Sequence, residues 1–412
     1  MGERALEGIR VCDLSGQLAG AGATRFLAAF GAQVIRVEDP VRRGGWDILR
    51  GGRPYVDDRR GPELGGAFNN HNVGKLGVTI NLRVHEGRDL FTRLVEVSDV
   101  VTENFAAGVF AGLGFPYERL REINPAVVYV SNSGFGHTGP YAHYKSWGPI
   151  VQALSGLTFT SGLAGQPPAG WGFSYMDHMG ANFMALAVLA ALVHRNRTGE
   201  GQWVDLAMTE VGLTLIGPAL LDATLHGCPM RSAGMPDSNH SNSPAMAPHG
   251  VYPARGEDCW VAIACRDDAD WTALAAVIGD EWVWDARFDS TAGRLFCEEE
   301  LDRRVAVWTA THDRYELASR VRRAGVPAEA VQRPSDRIDN DVDTAAWGLW
   351  PTVTHPQMGE VRVDGLPLHL SQTDWRMETG APMLGQHNEE IFCKLLGIDE
   401  AELAALHEAG VV

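Results

Sequence analysis

The stretch GFSYMDHMGANFMALAVLAALVHR, Gly172 to Arg195, places one acidic residue, Asp177, between an aromatic approach and a long apolar run. An aspartate in that position can cap a helix, because its carboxylate accepts the free backbone N–H groups of the first turn. The partial positive charge of a helix N-terminus also stabilises a carboxylate as the anion. An ionised carboxylate is in turn a covalent nucleophile toward a reactive carbonyl. Capping and nucleophilic roles want the same charge state, so this segment alone does not separate them. Trp171, Phe173 and Tyr175 alternate before the aspartate, and glycines at 170, 172 and 180 leave room for a ligand. The same alternation also fits one face of a strand.

Other constellations carry less. AGAGATRF supplies Gly20 and Gly22 of a dinucleotide fingerprint, but Arg25 holds the third glycine's place. Glu38 stands where an acid would meet a ribose, at the end of the second expected strand. His137, His143, His240 and His249 lack the spacing of a metal site and have no paired cysteines beside them, so no metal is expected. No G-x-S-x-G elbow occurs, which leaves a serine hydrolase without support.

With 412 residues the chain is too long for one ordinary core, so two domains are expected. A hydrophobic share of 45% with 21% charged residues is that of a globular protein. The net charge of −17 argues against a nucleic-acid partner, which would need a basic face, but leaves room for a small anionic ligand. Six scattered cysteines read as reduced thiols. MGERALEGIRVCDL has no signal-peptide pattern, and Met184–Val193 is about half the length of a membrane span. A soluble, cytoplasmic protein with no membrane partner is expected.

The elements that must position these residues alternate. Strands are expected at Gly8–Leu14, Ala32–Glu38, Lys75–Leu82 and Ala126–Gly134. Helical spacing covers Ala23–Phe30 and His85–Val97, with short helices near Val109–Gly112 and Tyr117–Glu122. Such alternation predicts an α/β fold with a parallel sheet wrapped by helices. It places ligands beyond the carboxyl ends of the strands. The segment His226–Gly250, rich in Pro, Ser, Asn and Gly, reads as a crossing loop. A hairpin turning at Arg255–Asp258 and helices at Asp268–Ile278, Glu298–Thr309 and Arg314–Arg323 then predict a smaller α+β domain. The domains expected are 1–225, 226–330, and a return of 331–412 to the first, with a short strand at EVRVDG and two helices.

Ordered blocks along nearly the whole chain resemble the class III CoA-transferases, the formyl-CoA transferase and carnitine CoA-transferase (CaiB/BaiF) type. The blocks are GIRVCDLSGQLAGAGATRFLAAFGAQVIRVE, SDVVTENFAAGVFAGLGFPYERLREINPAVVYVSNSGFGHTGPYA, DHMGANFMALAVLAALVHRNRTGEGQWVDLAMTE and GAPMLGQHNEEIFCKLLG. The resemblance implies a Rossmann-like large domain built from both chain ends, an inserted small domain and an interlocked dimer, of like or related subunits. It implies that Asp177 is the nucleophile of an acyl-CoA:carboxylate CoA-transferase. Exchange would run through an aspartyl anhydride and an aspartyl-CoA thioester. The substrates are an acyl-CoA donor, such as succinyl-CoA, and a carboxylic acid acceptor, with no prosthetic group. CoA contacts carry over to Leu18, Ala19, Asn81, Leu82, Arg83, Asn104, Phe105, Lys145, Ser146, Trp147 and Gly148.

The chain departs from the family in three places. Ala106 and Ala107 stand where a polar residue and a proline are common, so a phosphate contact is lost or comes from elsewhere. SNHSNSPAMAPHG replaces the glycine run of formyl-CoA transferases, which puts a formyl/oxalate pair in doubt. Trp147 falls where the family's α-methylacyl-CoA racemases have a histidine, so that two-base reaction loses a partner. A racemase or isomerase and a non-catalytic CoA-binding partner subunit stand as the alternatives. The aromatics Trp147, Trp171, Phe173 and Tyr175 suggest an aromatic or bulky acyl group.

Overall fold

The computed structural model describes residues 4–163, 165–227, 239–242 and 244–412. Residues 228–238 and 243 of the crossing segment expected at 226–250, and with them Cys228, therefore lie outside the described residues. The chain divides into two compact units: 1–159 with 170–226 and 343–412, and 160–169 with 227–342.

The first unit is built on six short strands: β1 (Arg10–Asp13), β2 (Gln33–Glu38), β3 (Leu76–Thr79), β4 (Val100–Glu103), β5 (Val128–Ser133) and β6 (Trp203–Ala207). They pair in parallel in the order β3-β2-β1-β4-β5-β6, the order of dinucleotide-binding folds. Successive residues face opposite sides, so Val11, Val34, Val100 and Val128 join one core while Cys12, Ile35, Val101 and Tyr129 join another. In β1 to β5 both faces are buried, which is why these strands read as nearly continuous apolar runs.

Helices α1 (Ala19–Ala29) and α4 (Tyr175–Thr198) fill the first face. Their axes approach closely because Gly22 faces Ala181; a Cβ on Gly22 would lie 3.1 Å from that of Ala181. By length and composition α4 is apolar enough to cross a bilayer, yet Met176, Met184, Ala185 and Val188 are buried in this core. Helix α2 (His85–Glu96) and the C-terminal residues Ile391, Phe392 and Ile398 fill the second face. The return of the chain also finishes the open edge of β3. Gly77 N–H donates to His387 Nδ1 at 2.9 Å and Thr79 N–H to Asn388 Oδ1 at 2.9 Å.

Two shorter helices, α3 (Gly148–Leu154) and α5 (Met208–Thr214), complete the site region of this unit. The second unit holds an antiparallel sheet of β7 (His249–Pro253), β8 (Trp260–Ala264) and β9 (Ala328–Ala330). Helices α6 (Asp268–Ile278), α7 (Glu298–Thr309) and α8 (Arg314–Arg323) cover it, at the boundaries the sequence predicts. Asp267 and Asp313 mark two of those starts by accepting first-turn backbone N–H groups. The protein is a mixed α/β fold with a parallel six-stranded sheet and separate antiparallel sheets.

Candidate active site

The carboxyl ends of β1 to β5 lead into loops that enclose two cavities, as an open parallel sheet requires of a ligand site. The first, about 300 Å³, is lined by Asp177 together with the loops after β1, β4 and β5. The second, about 430 Å³, lies over the ends of β2 and β3, where Arg42, Trp46, Leu82 and Arg83 form its wall. Gln17, Asn104, Phe105 and Ala106 line both. Of the residues named from the sequence, Ala19, Lys145, Ser146, Trp147 and Gly148 join Asp177 in the first cavity. Leu82 and Arg83 stand in the second, and Asn104 and Phe105 in both.

Leu18 and Asn81 line neither. Leu18 is buried. Asn81 turns inward, its amide donating to the Gly410 carbonyl and its oxygen accepting from Arg83 N–H at 3.1 Å.

Asp177 does not cap α4. The cap position is Ser174, in the left-handed region at φ 51°, and Asp177 is the third residue of the first turn. The helix begins before the aspartate because Met176 is fully buried in the core and draws the preceding turn into helical geometry. Asp177 still lies within the first turn, where the helix end favours an anion. Burial nevertheless raises its pKa above the ordinary carboxylate value, with a side-chain hydrogen bond from Ser174 opposing that rise. The carboxylate rests directly against Gly148, the first residue of α3. A Cβ there would lie 2.5 Å from Oδ2 and 2.9 Å from Cγ.

The aromatics before Asp177 face elsewhere. Trp171 packs on Tyr175 with centroids 4.6 Å apart, and Phe173 packs on His178 at 6.1 Å. Phe173 is 78% exposed, and none of the three lines either cavity. Their alternation was neither a strand face nor a substrate wall, because the segment turns through left-handed Phe173 and Ser174 into the helix. Of the aromatic residues expected to select the acyl group, Trp147 alone lines the Asp177 cavity.

Sequence reasoning missed Gln17, Arg42 and Trp46. The arginine-rich loop after the second strand was the available signal for Arg42. The loops are held by buried charge. Asp13 accepts from Thr24 Oγ1 at 2.7 Å, Lys75 Nζ at 3.1 Å and the hydroxyl and backbone N–H of Ser15. Arg36 bonds Asp47 at 2.7 Å, and Asp47 in turn accepts from Gln17 N–H at 3.1 Å. Asn104 clamps Gly16 from both sides, accepting from its N–H at 2.7 Å and donating to its carbonyl at 3.0 Å. Glu38 ends β2 as expected of a ribose contact, but Arg50 takes both its oxygens, at 2.9 and 2.6 Å.

The wall shared by the cavities also rests on Glu103, whose carboxylate accepts from Phe105 N–H at 2.6 Å and Tyr129 Oη at 2.8 Å. Burial pushes its pKa up to about 7. A raised folded pKa means that the group's stabilising contribution is full below the unfolded value and is lost as pH rises through about 7. Relative to the wild type, Glu103→Gln is therefore expected to gain about 2 kcal/mol between pH 5 and pH 8. Urea midpoints across that range measure it, and a difference independent of pH would refute it.

Among the described residues, no cluster of His, Cys, Asp and Glu is placed to hold a metal ion. Comparison with known proteins agrees with the fold. The succinyl-CoA–D-citramalate CoA-transferase of Chloroflexus aurantiacus is 34% identical over 99% of this chain and 98% of its own. The formyl-CoA:oxalate CoA-transferase of Streptomyces coelicolor is 32% identical over the full length of both. The crystal structure of a CaiB/BaiF family protein from Brucella suis superposes with a TM-score of 0.86 at 28% identity, covering 95% of this chain and all of that one. A family model described as CoA-transferase family III matches residues 6–388. The chain belongs to CoA-transferase family III and is a CoA-transferase.

Proposed function

We propose that the protein exchanges CoA between two carboxylic acids with Asp177 as covalent nucleophile. The observation that carries this reading is the Asp177 carboxylate itself: among the described residues lining its cavity it is the one acid, and Lys145 the one cation. The carboxylate attacks the donor thioester carbonyl, the C–S bond breaks, and CoA leaves as thiolate from an acyl-aspartyl anhydride. The thiolate then attacks the aspartyl carbonyl and expels the donor acid as its carboxylate, leaving an aspartyl-CoA thioester. The acceptor carboxylate repeats these steps in reverse, so no net proton is consumed. Covalent capture splits one difficult exchange into easier steps.

The paired cavities support an extended CoA pose. Arg42 and Arg83 suit the phosphates, which offsets the loss of polar side chains at Ala106 and Ala107. The shared wall of Gln17 and Asn104–Ala106 then leads toward Asp177. Succinyl-CoA, named for the Chloroflexus relative, is the proposed donor. The same reading takes the protein as a dimer, with a partner chain covering the exposed Leu220, Leu221 and Leu225.

The test is to incubate the protein with succinyl-CoA, quench with hydroxylamine and map the hydroxamate by mass spectrometry. The modification is expected on Asp177. A hydroxamate on another residue, or none with any of a broad acyl-CoA set, would overturn the nucleophile assignment.

A further inference from the structure

Two of the loops that wall the Asp177 cavity meet at a contact left unfinished. Glu103 ends β4, and His137 sits in the loop after β5 between Phe135 and Ala142, which line that cavity. The Glu103 carboxyl is buried, with Oε2 accepting from Phe105 N–H and Oε1 from Tyr129 Oη. Among the described residues it pairs with no lysine or arginine. His137 Nε2 faces Oε1 at 3.9 Å, too far for a hydrogen bond, and is buried with no partner among the described residues. The rest of His137 is fixed. Its backbone N–H donates to both Asp205 oxygens, at 3.1 and 2.9 Å, and its ring stands edge-on to Trp203 with centroids 5.4 Å apart.

A buried ring nitrogen without a partner is costly, and so is a buried carboxyl without a cation. One proton between them relieves both: the carboxyl donates to a bare nitrogen, or a ring N–H donates to the carboxylate. Oε1 can serve while still accepting from Tyr129. Burial raises Glu103 to about 7, with Asp205 adding to the rise, and lowers His137, so in the acidic range the proton rests on the carboxyl and the nitrogen accepts it. What is lacking is about 1 Å of approach, since such a bond spans roughly 2.7–2.9 Å. That approach draws the loop after β5 toward the end of β4. The same loop carries Lys145 and Trp147 and leads into Gly148, which touches Asp177. Glu103 for its part holds the backbone of Phe105 in the shared wall.

The geometry points to Glu103 and His137 as positioning residues, a latch whose hydrogen bond closes the loop after β5 against β4 and sets the shape of the Asp177 cavity. Neither residue lines a cavity, so the latch acts through Phe105 and the loop that ends at Gly148. It governs the rate of transfer and leaves CoA affinity, placed at Arg42 and Arg83, nearly alone. This rests on transfer taking place at Asp177.

The test sets two substitutions against each other. His137→Phe keeps a ring against Trp203 and removes the nitrogen. His137→Gln removes the ring and keeps an amide that donates to Oε1. The probe is succinyl-CoA, and the rate of Asp177 hydroxamate formation is followed against its concentration. His137→Phe is expected to lower the maximal rate roughly tenfold or more, with the half-saturating concentration changed by less than about twofold. His137→Gln is expected to stay near the wild type, and urea midpoints to hold in both variants. Only that split supports the latch. A low rate in His137→Gln, a normal rate in His137→Phe, or a loss that follows a fallen urea midpoint overturns it while leaving Asp177 as nucleophile. No adduct on Asp177 in the wild type overturns both readings.

Discussion

Asp177→Asn is expected to lower CoA transfer by roughly 10³-fold or more, the scale seen when a covalent nucleophile is removed. The same substitution is expected to stabilise the fold at neutral pH. Burial holds the folded pKa of Asp177 above its unfolded value, so its stabilising contribution is present at low pH and lost as pH rises through the folded pKa. Once ionised, Asp177 is a carboxylate that burial disfavours, and an asparagine removes that cost while still accepting from Ser174. Urea midpoints of wild type and variant should therefore diverge as pH rises from 4 to 7, with the variant higher. This opposition of activity and stability is the mark of a group kept for chemistry. A variant that loses activity and stability together would make Asp177 a structural residue of the first turn. One that keeps most of its activity would remove it from the mechanism.

The sequence revealed most where a local rule sets a boundary. The starts of α6 and α8 were legible because Asp267 and Asp313 cap them, and the four strands expected in the first 135 residues match buried apolar runs. The strand β6 was not read separately, since Leu206 alone of its five residues is buried. The start of α4 was misplaced because burial of Met176, a tertiary effect, fixes it. Glu38 looked available to a ribose, and only the folded chain shows Arg50 against it. The second cavity was half legible. Leu82 and Arg83 came from a resemblance, but Arg42 and Trp46 enter it through a loop that Asp47, Arg36 and Gln17 fasten together. His137 read as an ordinary loop histidine, because a sequence does not say which polar side chains fold away from every partner.

Gly148→Ala tests whether the position of the Asp177 carboxylate matters as much as its presence. The added methyl group would come within 2.5 Å of Oδ2 and 2.9 Å of Cγ, closer than real Cβ contacts allow. One side must yield. Gly148 cannot swing away freely, because Pro149 follows it at the start of α3 and restricts the backbone of the residue before it. Asp177 is short, so relief comes from rotating its carboxylate off the direction it now holds. A nucleophile displaced by about 1 Å loses on the order of 10² in rate. The expected result is a fall of that size in kcat with KM for the acyl-CoA changed far less, since Arg42 and Arg83 are untouched. Gly148 needs no left-handed backbone, so alanine adds no strain of that kind. Gly51→Ala, where a Cβ would meet nothing within 4 Å, serves as the control and should match the wild type. If Gly148→Ala keeps a normal kcat, the carboxylate finds its attack geometry after binding, and contact with α3 is packing alone. If kcat collapses while the fold and KM hold, the missing side chain at 148 is what leaves Asp177 room to attack.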